Sequence, residues 1–181
     1  MIKFKKPSEI ILSNGRTLEQ ALESHRKWLL GEDGKKLILK GEDLSYANLS
    51  YADLKYSDLS NTNLCYANLS YAHLNYAKLR EADLINVDLS NANLIKASFC
   101  LINLYKAKGD FVGVENIGSR NDTTHYFYNI NRVICGCFNG TMKEFENKVK
   151  NEYSKDNKYY KQYIVAIDTL KKLAELEKII K

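Results

Sequence analysis

Long apolar runs, a dominant charge, a cysteine framework and catalytic signatures are all missing from this chain. No apolar stretch approaches the roughly 20 residues of a membrane span, so a spanning helix is excluded on sequence grounds. Residues 10–12, which follow Lys3, Lys5 and Lys6, are too short an apolar core for a signal peptide, and a cytoplasmic location is expected. Lys and Arg number 27 against 22 Asp and Glu, a formal charge of +5. That balance excludes a polyanion. It also falls short of the dense basic stripe of a nucleic-acid binder and argues against direct nucleic-acid binding. The four cysteines make no disulfide framework by count. Cys65 and Cys100 stand far apart, and Cys135 and Cys137 are an i, i+2 pair expected on one face of a strand. Reduced, packed thiols are the expectation in a cytosolic chain. A Cys-x-Cys pair without nearby Cys or His partners is a weak metal signal, so no metal or cofactor is expected. A P-loop, a Gly-rich dinucleotide turn, a His-x-x-x-His pair and a nucleophile elbow are all absent, and the chain reads as a non-enzyme.

What is present is order. A leucine recurs every five residues from Leu39 to Leu94, and Phe99 and Leu104 extend the register to fourteen consecutive positions. Two residues before most of them stands a small side chain: Ala47, Ala52, Ala67, Ala72, Ala77, Ala82, Ala92 and Ala97. Between the two sits a short polar group such as Asn48, Asp53, Asp58, Asn63, Asn68, Asp83 or Asn93. Period five matches neither a helix nor a flat strand. It fits a coil that makes one straight side and one corner per five residues. Residues two apart in an extended step share a face, so Ala and Leu point inward together and the Asn or Asp between them points out. Stacked coils then supply each other's backbone hydrogen bonds at about 4.8 Å spacing, giving a solenoid with an apolar axis.

Units such as Ala47-Asn48-Leu49-Ser50-Tyr51 and Ala52-Asp53-Leu54-Lys55-Tyr56 resemble the pentapeptide-repeat family, whose unit reads Ala-(Asp/Asn)-Leu-x-x. The resemblance covers residues 37–108. It implies a mainly β fold, a right-handed, four-sided β-helix with four units per coil. The departures lie at the ends, where Leu37, Glu42 and Ile102 stand in Ala positions.

With four units per coil, residues twenty apart stack. Tyr46 falls under Tyr66, Tyr51 under Tyr71 and Tyr56 under Tyr76, while the fourth corner carries Asn61 and Glu81. Asn86, Asn91 and Lys96 break the pattern in the third coil. Stacked aromatics stabilise the solenoid. They also offer a belt for a protein partner, since Tyr is enriched at binding hot spots. Some members of the family are acidic rods that imitate DNA and bind type II topoisomerases. Residues 39–108 carry seven basic and seven acidic groups, a net of zero. Three and a half coils make a rod of only about 17 Å, and DNA carries one charge per ~1.7 Å. A DNA-mimic interaction with gyrase is therefore the lesser reading.

Residues 1–36 read as a cap. Asn14-Gly15 is a turn signal after a short strand over residues 9–13. Thr17 and Gln20 resemble a capping box opening a helix, with Leu18, Ala21, Leu22, Trp28 and Leu29 as its apolar stripe. Trp28 is expected in the core, and His25 is expected on the surface or packed rather than catalytic. Residues 109–181 read as a small α+β module. Two antiparallel strands are expected over residues 125–128 and 132–138. A helix capped by Thr141 and Glu144 carries Phe145 and Val149 on one face. A longer helix is marked by Tyr160, Ile164, Ile167, Leu170, Leu173, Leu176 and Ile180. About seventy residues are marginal alone, so this module is expected to pack on the solenoid, on a second copy, or both, and a homodimer through it is predicted.

The tail, with Gly118-Ser119-Arg120 and the run Cys135-Gly136-Cys137-Phe138-Asn139-Gly140-Thr141-Met142, resembles a module on small pentapeptide-repeat proteins of phages and prophages. The leader around His25 and Trp28-Leu29 resembles that of the same proteins. This implies a viral accessory role in the cytoplasm of a bacterial host. The leading function is a non-catalytic scaffold that engages or inhibits a host protein, with Tyr46, Tyr51, Tyr56, Tyr66, Tyr71 and Tyr76 as partner-binding residues. A different reading is small-ligand sequestration or an enzyme site at Ser119, Arg120, Asp122 and His125, with Cys135 or Cys137 nearby, because a loop could bring an Arg fork to an anion. An ordinary turn with a salt bridge explains the same residues.

Overall fold

The computed structural model describes residues 3–98, 100, 102, 104, 106–117, 122–136 and 138–180. They form two compact units, Met1–Gly109 and Asp110–Lys181.

The first unit is a β-solenoid. Residues twenty apart pair in parallel: Ile38 with Asp58, Asp43 with Asn63, Asn48 with Asn68, Asp53 with His73, and so upward to Asp88 with Lys108. Each coil therefore contains four five-residue steps. Leu44 donates its N–H to the Asn63 carbonyl at 2.8 Å, and Asn63 donates to Glu42 at 3.0 Å, so each step is bonded to the next coil. Leucines 39 to 84 of the register are at most 1% exposed and fill the bore. Ser57 and Thr62 take inward Ala positions. Their hydroxyls donate to the carbonyls of Leu54 and Leu39, at 2.7 and 2.8 Å, which removes the cost of burying them. Ala52 departs from the inward pattern and is only half-buried.

The corners follow one rule. Ala47 donates its N–H to the Leu44 carbonyl at 3.0 Å, closing a turn in which Tyr46 has φ 61°. A positive φ at that position defines a type II turn. The central Asp or Asn of a unit holds the approach to its corner. Asp43 accepts the Ser45 N–H at 3.0 Å, Asp88 accepts that of Ser90 at 2.9 Å and Asn93 that of Ile95 at 3.1 Å. This Asx turn is the physical reason for a short polar acceptor there. His73 and Lys78, which stand at the same place, make no such bond.

The N-terminal segment joins the coil directly. Lys5 donates its N–H to Tyr46 at 2.8 Å and accepts from Asn48 at 2.9 Å. The strand expected over residues 9–13 is reduced to one antiparallel bridge between Ile11 and Thr17, because the turn at Gly15 follows at once. Helix α1, Leu18–Leu29, opens on the Thr17–Gln20 capping box and buries Leu18, Ala21 and His25. Trp28 is not core: at 37% exposure it lies at the last turn of α1, beside Tyr56.

The second unit is α+β. Its sheet has four antiparallel strands in sequential order, β1 Phe111–Ile117, β2 Asp122–Phe127, β3 Arg132–Cys135 and β4 Phe138–Gly140. The two-strand expectation thus captures only its central hairpin. Gly136, at φ 55°, turns the chain between β3 and β4, and Cys137, expected on one strand with Cys135, lies outside the described residues. Gly140 is confined by packing, since a Cβ there would meet Phe138 Cζ at 2.5 Å. Helix α2, Met142–Glu152, starts at the Thr141–Glu144 capping box and buries Phe145 and Val149. Helix α3, Lys158–Ile180, packs on β1 and α2 through Tyr163, Ala166, Ile167, Leu170 and Ala174. The expected stripe is rotated from this one: Leu173, Leu176 and Ile180 are exposed, because the small Ala166 and Ala174 take the buried positions on the packed face of α3. Cys65 is a free thiol, whereas Cys100 is disulfide-bonded, which corrects the expectation of reduced thiols there. Among the described residues no helix is long and apolar enough to cross a membrane.

Candidate functional site

The tyrosines assemble as three stacked pairs at three corners of the solenoid. Ring centroids are 4.9 Å apart for Tyr46 and Tyr66, 4.9 Å for Tyr51 and Tyr71, and 5.0 Å for Tyr56 and Tyr76. The planes are within 1°, 4° and 15° of parallel. Register alone produces this, because the i to i+20 pairing puts equivalent corners one above another. All six have φ between 59° and 62°. Tyr51 is 70% exposed, and only Tyr66 is half-buried.

The third pair continues in both directions. Trp28 meets Tyr56 edge-on at 6.4 Å, and its other neighbours are the stacked His25 ring at 5.5 Å and Lys36 Nζ at 5.9 Å. At the far end Lys96 Nζ lies 5.2 Å from the Tyr76 ring. Asn86 and Asn91 hold the corresponding places above the other two pairs.

His25 fixes the cap beside this column. Its Nδ1 accepts the Leu37 N–H at 3.1 Å, which leaves Nε2 to carry the proton and donate to the Lys55 carbonyl at 3.0 Å. Burial pushes its pKa below the usual histidine value, opposed by the Lys55 carbonyl and Asp53 and aided by Lys36. Of the two places expected for His25, surface or packed, the structure shows the packed one. Its place on the Leu18, Ala21, His25 spacing of three and four was the available signal.

The second expected site is not assembled. Ser119, Arg120 and Cys137 lie outside the described residues. Asp122 opens β2 opposite Ile117. His125 pairs with Gly113 and Ile134 and contacts the Phe111 ring edge-on at 5.8 Å. Burial pushes its pKa down to about 4. Cys135 is opposite Thr124, whose hydroxyl lies 3.2 Å from its sulfur, and packs against the helices. Neighbouring residues of one strand face opposite ways, so His125 and Cys135 are on different faces of the sheet and cannot act together. Among the described residues no group of His, Cys, Asp and Glu is placed to hold a metal ion.

Residues 43–80 and 67–104 match the family model described as Pentapeptide repeats, in eight copies. The chain belongs to the pentapeptide-repeat family. Proteins of this family are generally non-catalytic scaffolds. This pentapeptide-repeat protein is similar to a crystallised pentapeptide repeat protein from Nostoc PCC 7120, with 32% identity over 41% of this chain and 74% of that one and a TM-score of 0.36. It is similar to a pentapeptide repeat protein involved in heterocyst differentiation regulation from the cyanobacterium Nostoc sp. strain PCC 7120, with 29% identity over 40% of this chain and 38% of that one and a TM-score of 0.20. A third similar structure is a pentapeptide repeat protein from the Arabidopsis thaliana thylakoid lumen, at 35% identity over 40% of this chain and 54% of that one, with a TM-score of 0.25. The chain thus spans about half or less of the latter two. No curated protein matches it.

Proposed function

We propose that this protein is a non-catalytic binding scaffold whose tyrosine corners engage and block a host protein. In this reading the solenoid is right-handed, as the family resemblance implies. Residues 1–36 cap it, residues 37–108 form the shaft, and residues 109–181 form a module through which two copies pair. The chain works in the cytoplasm of a bacterial host as a phage or prophage accessory protein, a reading supported by the resemblance of its tail and leader to such proteins.

The observation that carries the binding role is conformational cost. Six tyrosines sit at positive φ, a region that costs a non-glycine residue about 1 kcal/mol or more. Asn61, Asn86 and Asn91 build the same corner with a residue that tolerates it better. One stacked pair returns about 0.5–1.5 kcal/mol, which does not exceed the strain of its two members. Stability alone therefore gives no reason for tyrosine here, whereas exposed aromatic edges on a rigid frame are what a partner surface needs.

The test is capture from a lysate of the natural host with the wild-type chain and with Tyr51→Ser/Tyr71→Ser. The expected result is loss of the captured protein with an unchanged melting temperature. Retained capture, or loss explained by unfolding, would sink the reading. DNA supercoiling by gyrase is expected to be unaffected, and light scattering is expected to report a dimer mass.

A further inference from the structure

Among the described residues, only one of the three tyrosine columns has a lysine over a ring at each end. Lys36, Trp28, Tyr56, Tyr76 and Lys96 form a continuous exposed column, with a lysine against the ring at each end. Among the described residues neither lysine has a carboxylate partner, whereas the neighbouring Lys55 and Lys78 are paired with Asp53 and Asp58. The ring faces are occupied within the column. Tyr56 and Tyr76 cover each other, His25 stacks on Trp28 at an interplanar angle of 12°, and Lys36 and Lys96 lie over the Trp28 and Tyr76 rings. What remains for a ligand is the ring edges and the phenol hydroxyls. Ring edges are the positive part of the aromatic quadrupole, and the hydroxyls donate hydrogen bonds. Edges, hydroxyls and two lysines present one sign of potential.

We propose that this column is a docking site for an acidic, aromatic-bearing peptide segment of a partner protein. The proposal rests on the scaffold reading and names the chemistry its partner must show. Carboxylates reach the two lysines and the hydroxyls, and apolar side chains cover the ring edges between them. Single-stranded nucleic acid fits poorly, since bases need open ring faces to stack on and these are filled.

Trp28 is the only tryptophan in the chain, so its emission reports occupancy directly. The full-length protein is titrated with a short peptide alternating Glu with Phe, its counterpart alternating Lys with Phe, and oligo-dT. The expected result is a saturable emission change with the acidic peptide alone. It should weaken about tenfold in Lys36→Glu/Lys96→Glu and less in Lys36→Gln/Lys96→Gln, and fade as salt screens the lysines. No saturable change, equal binding of the Lys peptide, preference for oligo-dT, or indifference to both lysine pairs would overturn it. If Tyr51→Ser/Tyr71→Ser abolishes capture from the host lysate while the lysine variants do not, the scaffold reading stands and this column falls. If neither set alters capture, the scaffold reading falls.

Discussion

In the described part of the solenoid backbone steps pair with steps twenty residues away, and one set of side-chain rules is reused at most corners. In the C-terminal unit each strand pairs with its neighbour in sequence, and two helices close one face with side chains that occur once each. The contrast shows how the two units divide their tasks between interior and surface. In the solenoid the leucine ladder and the Asx turns satisfy the backbone locally, so the corner residue is left open to functional choice. In the sheet unit Gly136, Gly140, Thr141 and the Ala166/Ala174 pair are each tied to a particular turn, cap or contact.

The largest way to break the comparison is to empty the two cores in parallel. Leu69→Ala and Leu170→Ala, both at fully buried positions, should each cost roughly 3–5 kcal/mol. Amide exchange should show the loss spreading over coils above and below residue 69, against a loss centred on α3, β1 and α2 for residue 170. Acid distinguishes the units next. His125 is held neutral by burial, with its pKa at about 4, below the ordinary unfolded value of ~6.5. Its stabilising share, about 3 kcal/mol, is complete above pH 6.5 and is lost as the pH falls towards 4. His25 is shifted in the same direction, so its contribution also begins to fade below the unfolded value, and protonation of Nδ1 would set two donors, that proton and the Leu37 N–H, against each other. Chemical denaturation from pH 8 to pH 4 should show a fall in stability that flattens in His125→Phe. A wild type as stable at pH 4 as at pH 8 would refute the assignment.

Smaller substitutions sharpen the corner rule. Asp88→Ala removes the acceptor for the Ser90 N–H and should cost about 1 kcal/mol. The reverse change, His73→Asn, supplies an acceptor where none is used and should stabilise by about 0.5 kcal/mol. Equal and opposite shifts in denaturation midpoint would be too simple, because His73 is exposed and its replacement is free of packing loss. The smallest effect is expected for Tyr51→Asn, within about 1 kcal/mol of wild type, since easier access to positive φ offsets the lost stack.

The solenoid was legible because its period leaves one geometry that puts every leucine inside. The stacking of Tyr46 on Tyr66 followed from arithmetic alone, and the crossing from Leu37 into the coil was visible despite its lack of alanine. The positive φ at those tyrosines was not legible, since the residue type argues against it and only the repeat enforces it. Trp28 was misplaced because a three-and-four spacing does not reveal that a helix ends at a corner. β1 and β4 were missed for a different reason. Gly113 interrupts one and the other is three residues long, so neither shows alternation.

The twenty-residue pairing also sets how this tube can change length. Duplicating one complete turn adds a storey and leaves every column, aromatic or charged, aligned from bottom to top. Adding or deleting a single five-residue step shifts all later storeys by a quarter of the circuit, so that Tyr66 would no longer find Tyr46 beneath it. Growth is thus quantised, and a change of one step remodels each vertical surface while the leucine-filled bore stays intact.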